Sequence, residues 1–190
     1  MCAQEAWSQL GLDRVLLVPF GEAPHRTLES DPGGDVRCEL CSQAVAGDER
    51  LEVSRVEVDR EGPSFTSDTL RILSGEDPLT LILGADQASA LPEWHEPGEV
   101  LALARVAVAS RAGVERDAVL RRLEGLCSAD GAPAAERLDF FDMPRIDVSS
   151  SLVRSRAGSG RPIRYLVPER VATAIEINGL YGAPAGMQAG

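Results

Sequence analysis

The chain has 190 residues, 44% of them hydrophobic, and a formal net charge of -11. That length is enough to bury a real core as one globular domain, and no apolar run approaches a membrane span. The acidic balance excludes broad nucleic-acid binding, which needs a basic face, yet leaves room for a small anion held by a local cluster of donors.

All 19 basic residues are Arg, with no Lys anywhere. A Walker-type phosphate loop and Schiff-base catalysis both depend on Lys, so both are excluded. The opening residues Met1 to Ala6 do not form a secretory signal, and a soluble cytoplasmic protein is expected.

In chain order, Val15 to Phe20 reads as a buried strand. A Gly/Pro-rich loop over Gly21 to Gly34 leads to a helix expected to be capped by Asp35. Leu51 to Val58 alternates like a strand, and Phe65-Thr66-Ser67-Asp68 opens a helix that runs to Leu73. Leu79 to Gly84 is a second buried strand and Arg105 to Ser110 a third. A helix from about Val114 to Leu126 precedes a short strand at Arg137 to Phe141. A serine-led helix follows, and the last helix runs from Pro168 to about Asn178, stopped by Gly179. Residues 183–190 read as a flexible tail.

Strands alternating with helices predict an α/β fold with a doubly wound parallel sheet, occupying residues 1–182 as a single domain. Ligands in such sheets lie beyond the carboxyl ends of the strands. The residues with chemistry follow strands accordingly: Pro24-His25-Arg26, Gly84-Ala85-Asp86, Arg111 and Ser149 to Arg154.

The four cysteines include one Cys-x-x-Cys pair, Cys38 and Cys41, and the two histidines are His25 and His95. A zinc site would need two further ligands. The pair lies in the apolar-periodic segment Val36, Leu40, Ala44, Val45, which predicts two buried or half-buried helix cysteines and no metal site.

Asp147-Val148-Ser149-Ser150-Ser151-Leu152-Val153-Arg154 carries the clearest chemistry. Ser149 suits an N-cap, and the unpaired N–H groups of a helix start attract phosphate. Ser150 and Ser151 add hydroxyl donors, and Arg154 shares a helix face with Ser150 from four residues on. Taken alone, the same pattern describes a capped surface helix with an Arg toward solvent.

With these residues in order, the chain resembles the bacterial nicotinate mononucleotide adenylyltransferases from about Gln4 to Tyr181. The similarity runs through Val18 to Arg26, Gly62 to Leu70, Gly84-Ala85-Asp86 with Leu91 and Trp94, Val148 to Arg154, and Tyr165-Leu166-Val167-Pro168 with Leu180-Tyr181. The serine helix is common to nucleotidyltransferases in general, whereas Ser64-Phe65-Thr66 with Asp68-Thr69-Leu70, and Trp94, point to this family.

The resemblance implies a Rossmann-like nucleotidyltransferase fold and a reaction between ATP, carried with Mg²⁺, and nicotinate mononucleotide. It implies that Ser149, Ser150 and Arg154 hold the ATP phosphates, with Arg154 and His25 acting on the reacting groups. Gly84 would admit a nucleoside, Asp86 would accept from ribose hydroxyls, and Arg111 would lie beside ATP. Thr66 and Trp94 would hold the nicotinate part, and His25 and Arg26 would face phosphate. Plainer roles stay open: Asp86 could cap a short helix, Trp94 could be core, and His25 could be an ordinary loop residue.

The family's opening strand and His-x-Gly-His motif have no counterpart in this sequence. Met1 to Ala6 resembles the segment just after that motif, so a start codon about 20 residues upstream is expected. Two alternatives remain: a nucleotide-binding relative without turnover, and a phosphopantetheine adenylyltransferase-like enzyme.

Overall fold

The computed structural model of the protein describes residues 1–22, 31–110 and 116–183. In chain order it begins with α1 (Cys2–Leu10), β1 (Val15–Leu17), α2 (Gly34–Val45) and β2 (Leu51–Val53). Next come α3 (Thr66–Leu73), β3 (Leu79–Gly84), α4 (Ala85–Ala90) and a 3-10 turn over Leu91–Glu93. Then follow α5 (Pro97–Leu103), β4 (Ala104–Ser110), α6 (Arg116–Arg122) and β5 (Leu138–Asp142). The serine-led α7 (Ser150–Gly158) and the last helix, α8 (Glu169–Ile177), complete the order.

These elements form two compact units. The first comprises Met1–Val15 and Ser64–Arg145. Its sheet has the order β3-β4-β5, with both pairings parallel. β4 is the middle strand, and its side chains are buried on both faces. Val106 and Val108 pack into a cluster with Leu91, Val100 and Leu101, while Ala107 packs with Ala6 and Phe141 on the other side. Burial on both faces is why the Ala-Arg-Val-Ala-Val-Ala-Ser run is almost continuously apolar rather than alternating. Helix α1 covers the second face through Cys2, Ala6 and Leu10, and the expectation of an α/β fold with parallel strands is met.

β3 was expected to be buried; the strand is present, but all its residues are partly or fully exposed. It is the edge strand of its sheet, so one side of each residue lacks the neighbour that would cover it.

The second unit comprises Leu16–Pro63 and, from Ile146, the rest of the chain. Its sheet is the pair β1-β2, three residues in each strand. Its apolar cluster is helical: Val153 and Ala157 of α7 meet Val171, Ala172 and Ile175 of α8, together with Ile163. Leu40 of α2 packs on this cluster. Cys38 is buried and Cys41 half-buried on α2, and both thiols are free, as the helix reading of the pair expected. Burial pushes both thiols up from the ordinary cysteine range, so neither is an activated thiolate.

Four expectations about element ends need correction, the first being the strand expected over Val15 to Phe20, which stops at Leu17. Asp35 is not the cap of α2: Gly33 holds that position and Asp35 lies in the first turn, paired with Arg55 at 2.7 Å. The strand expected over Leu51 to Val58 stops at Val53, because residues 56–58 turn and Asp59 N–H donates to the Arg55 carbonyl. Arg55 also pairs with Asp59 at 2.8 Å, an i,i+4 contact that rewards the turn rather than the extended chain. Fourth, α6 ends at Arg122 rather than near Leu126. Gly125 beyond it sits at φ 84 and ends the helical run.

Candidate active site

In the first unit, the strand register aligns the carboxyl ends of the sheet. Gly84 of β3 lies opposite Ala109 of β4, and Ser110 opposite Asp142 of β5. Gly84 is the N-cap of α4 with φ -74. A Cβ added there would meet no atom of the described residues within 4 Å. Neither backbone conformation nor packing within the chain therefore calls for glycine, which suits a position kept open for a ligand. Asp86 is exposed in the first turn of α4, and no side chain caps that helix. The capping role open to Asp86 in the sequence is not the one it takes.

Thr66 begins α3, directly after Phe65, the N-cap residue. The first turn of a helix leaves N–H groups without intrahelical partners, so this end can donate to an acceptor. Trp94 follows the 3-10 turn, its N–H donating to the Leu91 carbonyl at 3.1 Å. Its indole is half-buried and packs against the main apolar cluster. The core and ligand roles left open for Trp94 are thus compatible, because one face packs while part of the side chain stays accessible. The rings of Phe65 and His95 stack with centroids 4.4 Å apart, so the residues next to Thr66 and Trp94 in sequence are in contact.

In the second unit, Ser149 is the N-cap of α7, and its hydroxyl oxygen accepts from the Leu152 N–H at 3.2 Å. Among the described residues its own O–H has no acceptor. Ser150 and Ser151 are exposed, and Arg154 is partly buried one turn in. Arg154 Nη2 donates to the Ser151 hydroxyl at 3.3 Å, so the guanidinium lies back toward the helix start. The acidic groups that would repel an anion are absent from the first turn of α7. Gly158 fixes this helix closely: a Cβ there would come within 2.7 Å of the Tyr181 carbonyl oxygen. Burial raises the Tyr181 phenol above its ordinary value, and the positive Arg154 works against that shift.

Arg156, Arg161 and Arg164 each find a protein partner: the Pro162 carbonyl, the Ser159 hydroxyl and Glu169. His25, Arg26 and Arg111 lie outside the described residues.

Sequence reading overlooked Ser67 and Ser110. Each is fully buried, Ser67 beside Thr66 with its hydroxyl near the Glu96 carboxyl, and Ser110 at the end of β4 with no hydroxyl partner among the described residues. An orphaned buried hydroxyl costs about 1–3 kcal/mol, so stability alone does not favour Ser110. No local pattern marks them, because burial of a serine depends on what packs over it.

The cytidylyltransferase-like family profile matches residues 1–156. A probable nicotinate-nucleotide adenylyltransferase of Roseiflexus sp. (strain RS-1) is 42% identical over 182 residues, covering 94% of this chain and 88% of the relative. One from Geobacillus thermodenitrificans (strain NG80-2) is 34% identical over 184 residues, covering 95% and 78%. Among solved structures, Plasmodium falciparum nicotinic acid mononucleotide adenylyltransferase complexed with NaAD shares the fold at TM-score 0.70 and 14% identity. That alignment covers 95% of this chain and 88% of the other. Sequence similarity along nearly the whole length, with the serine-capped helix and aligned strand ends in place, shows that the chain belongs to the nicotinate-nucleotide adenylyltransferase family.

Proposed function

We propose that this protein transfers the adenylyl group of ATP to nicotinate mononucleotide, giving deamido-NAD and pyrophosphate in NAD synthesis. A phosphate oxygen of the mononucleotide attacks the α-phosphorus. The bond from that phosphorus to the bridging oxygen breaks, and pyrophosphate leaves with the electron pair. No covalent enzyme intermediate is required; the protein aligns two nucleotides and offsets charge on the transferring and leaving oxygens.

The observation that carries this reading is the start of α7, where Ser149 is the cap, Ser150 and Ser151 are exposed and Arg154 lies over the first turn. Ser149, Ser150 and Arg154 hold the ATP phosphates, with His25 assisting the reacting phosphate and Arg26 the acceptor phosphate. Gly84 and Asp86 take the nucleoside, Asp86 accepting from ribose hydroxyls, and Arg111 flanks ATP. Thr66 and Trp94 take the nicotinate group, with the indole stacked on the pyridine ring.

Among the described residues no three His, Cys, Asp or Glu side chains converge to hold a metal ion. Mg²⁺ enters this reading with the triphosphate, as part of the substrate. Residues 1–182 act as one functional domain in this reading; the tail expected after them lies, from residue 184, outside the described residues. No described helix is long and apolar enough to cross a membrane, and the cytoplasm is the proposed site of the reaction.

The test is pyrophosphate release from ATP with nicotinate mononucleotide, nicotinamide mononucleotide or phosphopantetheine as acceptor. Fastest turnover with nicotinate mononucleotide is expected. Preference for phosphopantetheine, or nucleotide binding with no turnover, would overturn the assignment. Arg154→Ala is expected to lower turnover at least tenfold, on the order of 1.4 kcal/mol of transition-state stabilisation.

A further inference from the structure

Arg71, on α3, stands among three carboxylates of the first unit, one on its own helix and two at the start of α5. Its Nη2 is 2.6 Å from Glu96, its Nη1 3.0 Å from Asp68, and its Nε 3.4 Å from Glu99. Asp68 shares α3, Glu99 lies in the first turn of α5, and Glu96 ends the turn that carries Trp94. One planar guanidinium thus ties the helix that begins with Thr66 to the end of that turn and the start of α5, which a point-charge ammonium could not do as well.

Glu96 is itself held in an unusual backbone state. It is the N-cap of α5 at φ 50 and ψ 58, a left-handed conformation that a residue with a Cβ rarely adopts. Its carbonyl accepts from the N–H groups of Glu99 and Val100 at 3.0 and 3.1 Å, and Pro97 follows it. Arg71 holds the Glu96 carboxyl below its ordinary value, as expected of a charge-assisted contact. Residues held in strained conformations persist where their surroundings over-determine them, and they cluster at functional sites.

A second tie lies a few residues away: the Phe65 ring stacked on His95. Phe65 precedes Thr66 and His95 follows Trp94. The turn is anchored on its other flank as well, with Glu93 paired to Arg122 at 2.6 Å. Trp94 therefore sits between two ion-paired glutamates, in a turn pinned to the start of α3.

We propose that Arg71 and Glu96 are positioning residues for the acceptor nucleotide. They brace the Trp94 turn against α3 so that indole and Thr66 meet one pyridine ring at a fixed separation, without touching it themselves. This rests on the reading that Thr66 and Trp94 receive the nicotinate group. The chemistry fits: stacking and short donor contacts lose most of their value when their supports shift by about an ångström.

The test is calorimetric binding of nicotinate mononucleotide and, separately, ATP to the full chain and its variants. Arg71→Ala and Glu96→Gln are expected to weaken mononucleotide binding about tenfold, with ATP affinity within about twofold of the parent. Arg71→Lys, which keeps the charge but loses the fork, should recover part of the loss. Mononucleotide affinity unchanged in both Arg71→Ala and Glu96→Gln would overturn the brace. So would an equal loss for both ligands with a lowered melting temperature, since that marks general destabilisation. Trp94→Ala separates the two readings: if it too leaves mononucleotide binding intact, the acceptor assignment fails. If it weakens binding while the Arg71 and Glu96 variants do not, only the brace fails.

Discussion

The two units are built in different ways. In the first, β4 is buried on both faces and an apolar cluster around Leu91, Val100, Leu101, Val106 and Val108 does the stabilising. In the second, the strands are only three residues long, and directional bonds help to hold the chain that leaves them. Arg37 shows this best. Its guanidinium donates to the Phe20 carbonyl at 2.8 and 3.1 Å and to the Gly21 carbonyl at 2.8 Å. It also pairs with Asp31 and lies 3.8 Å over the Phe20 ring, with 14% of its side chain exposed. The segment leaving β1 is thus held by one cation serving two carbonyls. Where a sheet supplies regular burial, apolar side chains suffice; where strands are short, directional bonds must fix the chain.

The largest effect should come from the apolar unit. Leu101 is fully buried, and Leu101→Ala should cost about 3 kcal/mol in urea unfolding, transfer and cavity terms together. A cost below about 1 kcal/mol would mean that β4 is not the stability centre.

Arg37→Ala should cost about 2 kcal/mol, the scale of charged hydrogen bonds plus a ring contact. Hydrogen exchange should show the loss around α2 and β1 while β4 stays protected. Uniform loss of protection would remove the contrast between the units.

Ser149→Ala should lower stability by about 1 kcal/mol by removing the cap bond to Leu152. Because the same hydroxyl faces the proposed phosphate site, ATP affinity should fall as well, while mononucleotide affinity changes less. Ser149→Asp should keep the cap but repel the triphosphate, which separates the two roles.

The smallest effect is acidic. Glu96 faces Arg71 and, at 3.7 Å, His95, with Glu99 and Asp68 bound to the same guanidinium. Its carboxyl is held below the ordinary value of 4.5. A depressed carboxyl favours the folded, braced form above its unfolded value and loses that advantage as pH falls through the folded one. Mononucleotide affinity should therefore be insensitive to this group down to about pH 5 and decline only in stronger acid. Glu96→Gln should remove that acid-limb decline.

The alternation of apolar runs with helical patterns was enough to read the α/β class, because periodicity is a local property of side chains. The strand at Leu79–Gly84, the helix from Thr66 and the Ser149 cap were legible for the same reason: each depends on residues close together in sequence. Family membership was legible too, since its motifs are short and contiguous. What tertiary structure decided was which groups end up buried or paired from afar. The half-exposure of β3 follows from its edge position, a matter of sheet order rather than of its own residues. The turn at Val56 is held in part by Arg55 reaching Asp35, twenty positions away. Arg71 and Glu96 are twenty-five positions apart, and neither carries a local signal. Their partnership exists only because α3 and the Trp94 turn fold against each other, bringing opposite charges within hydrogen-bond reach.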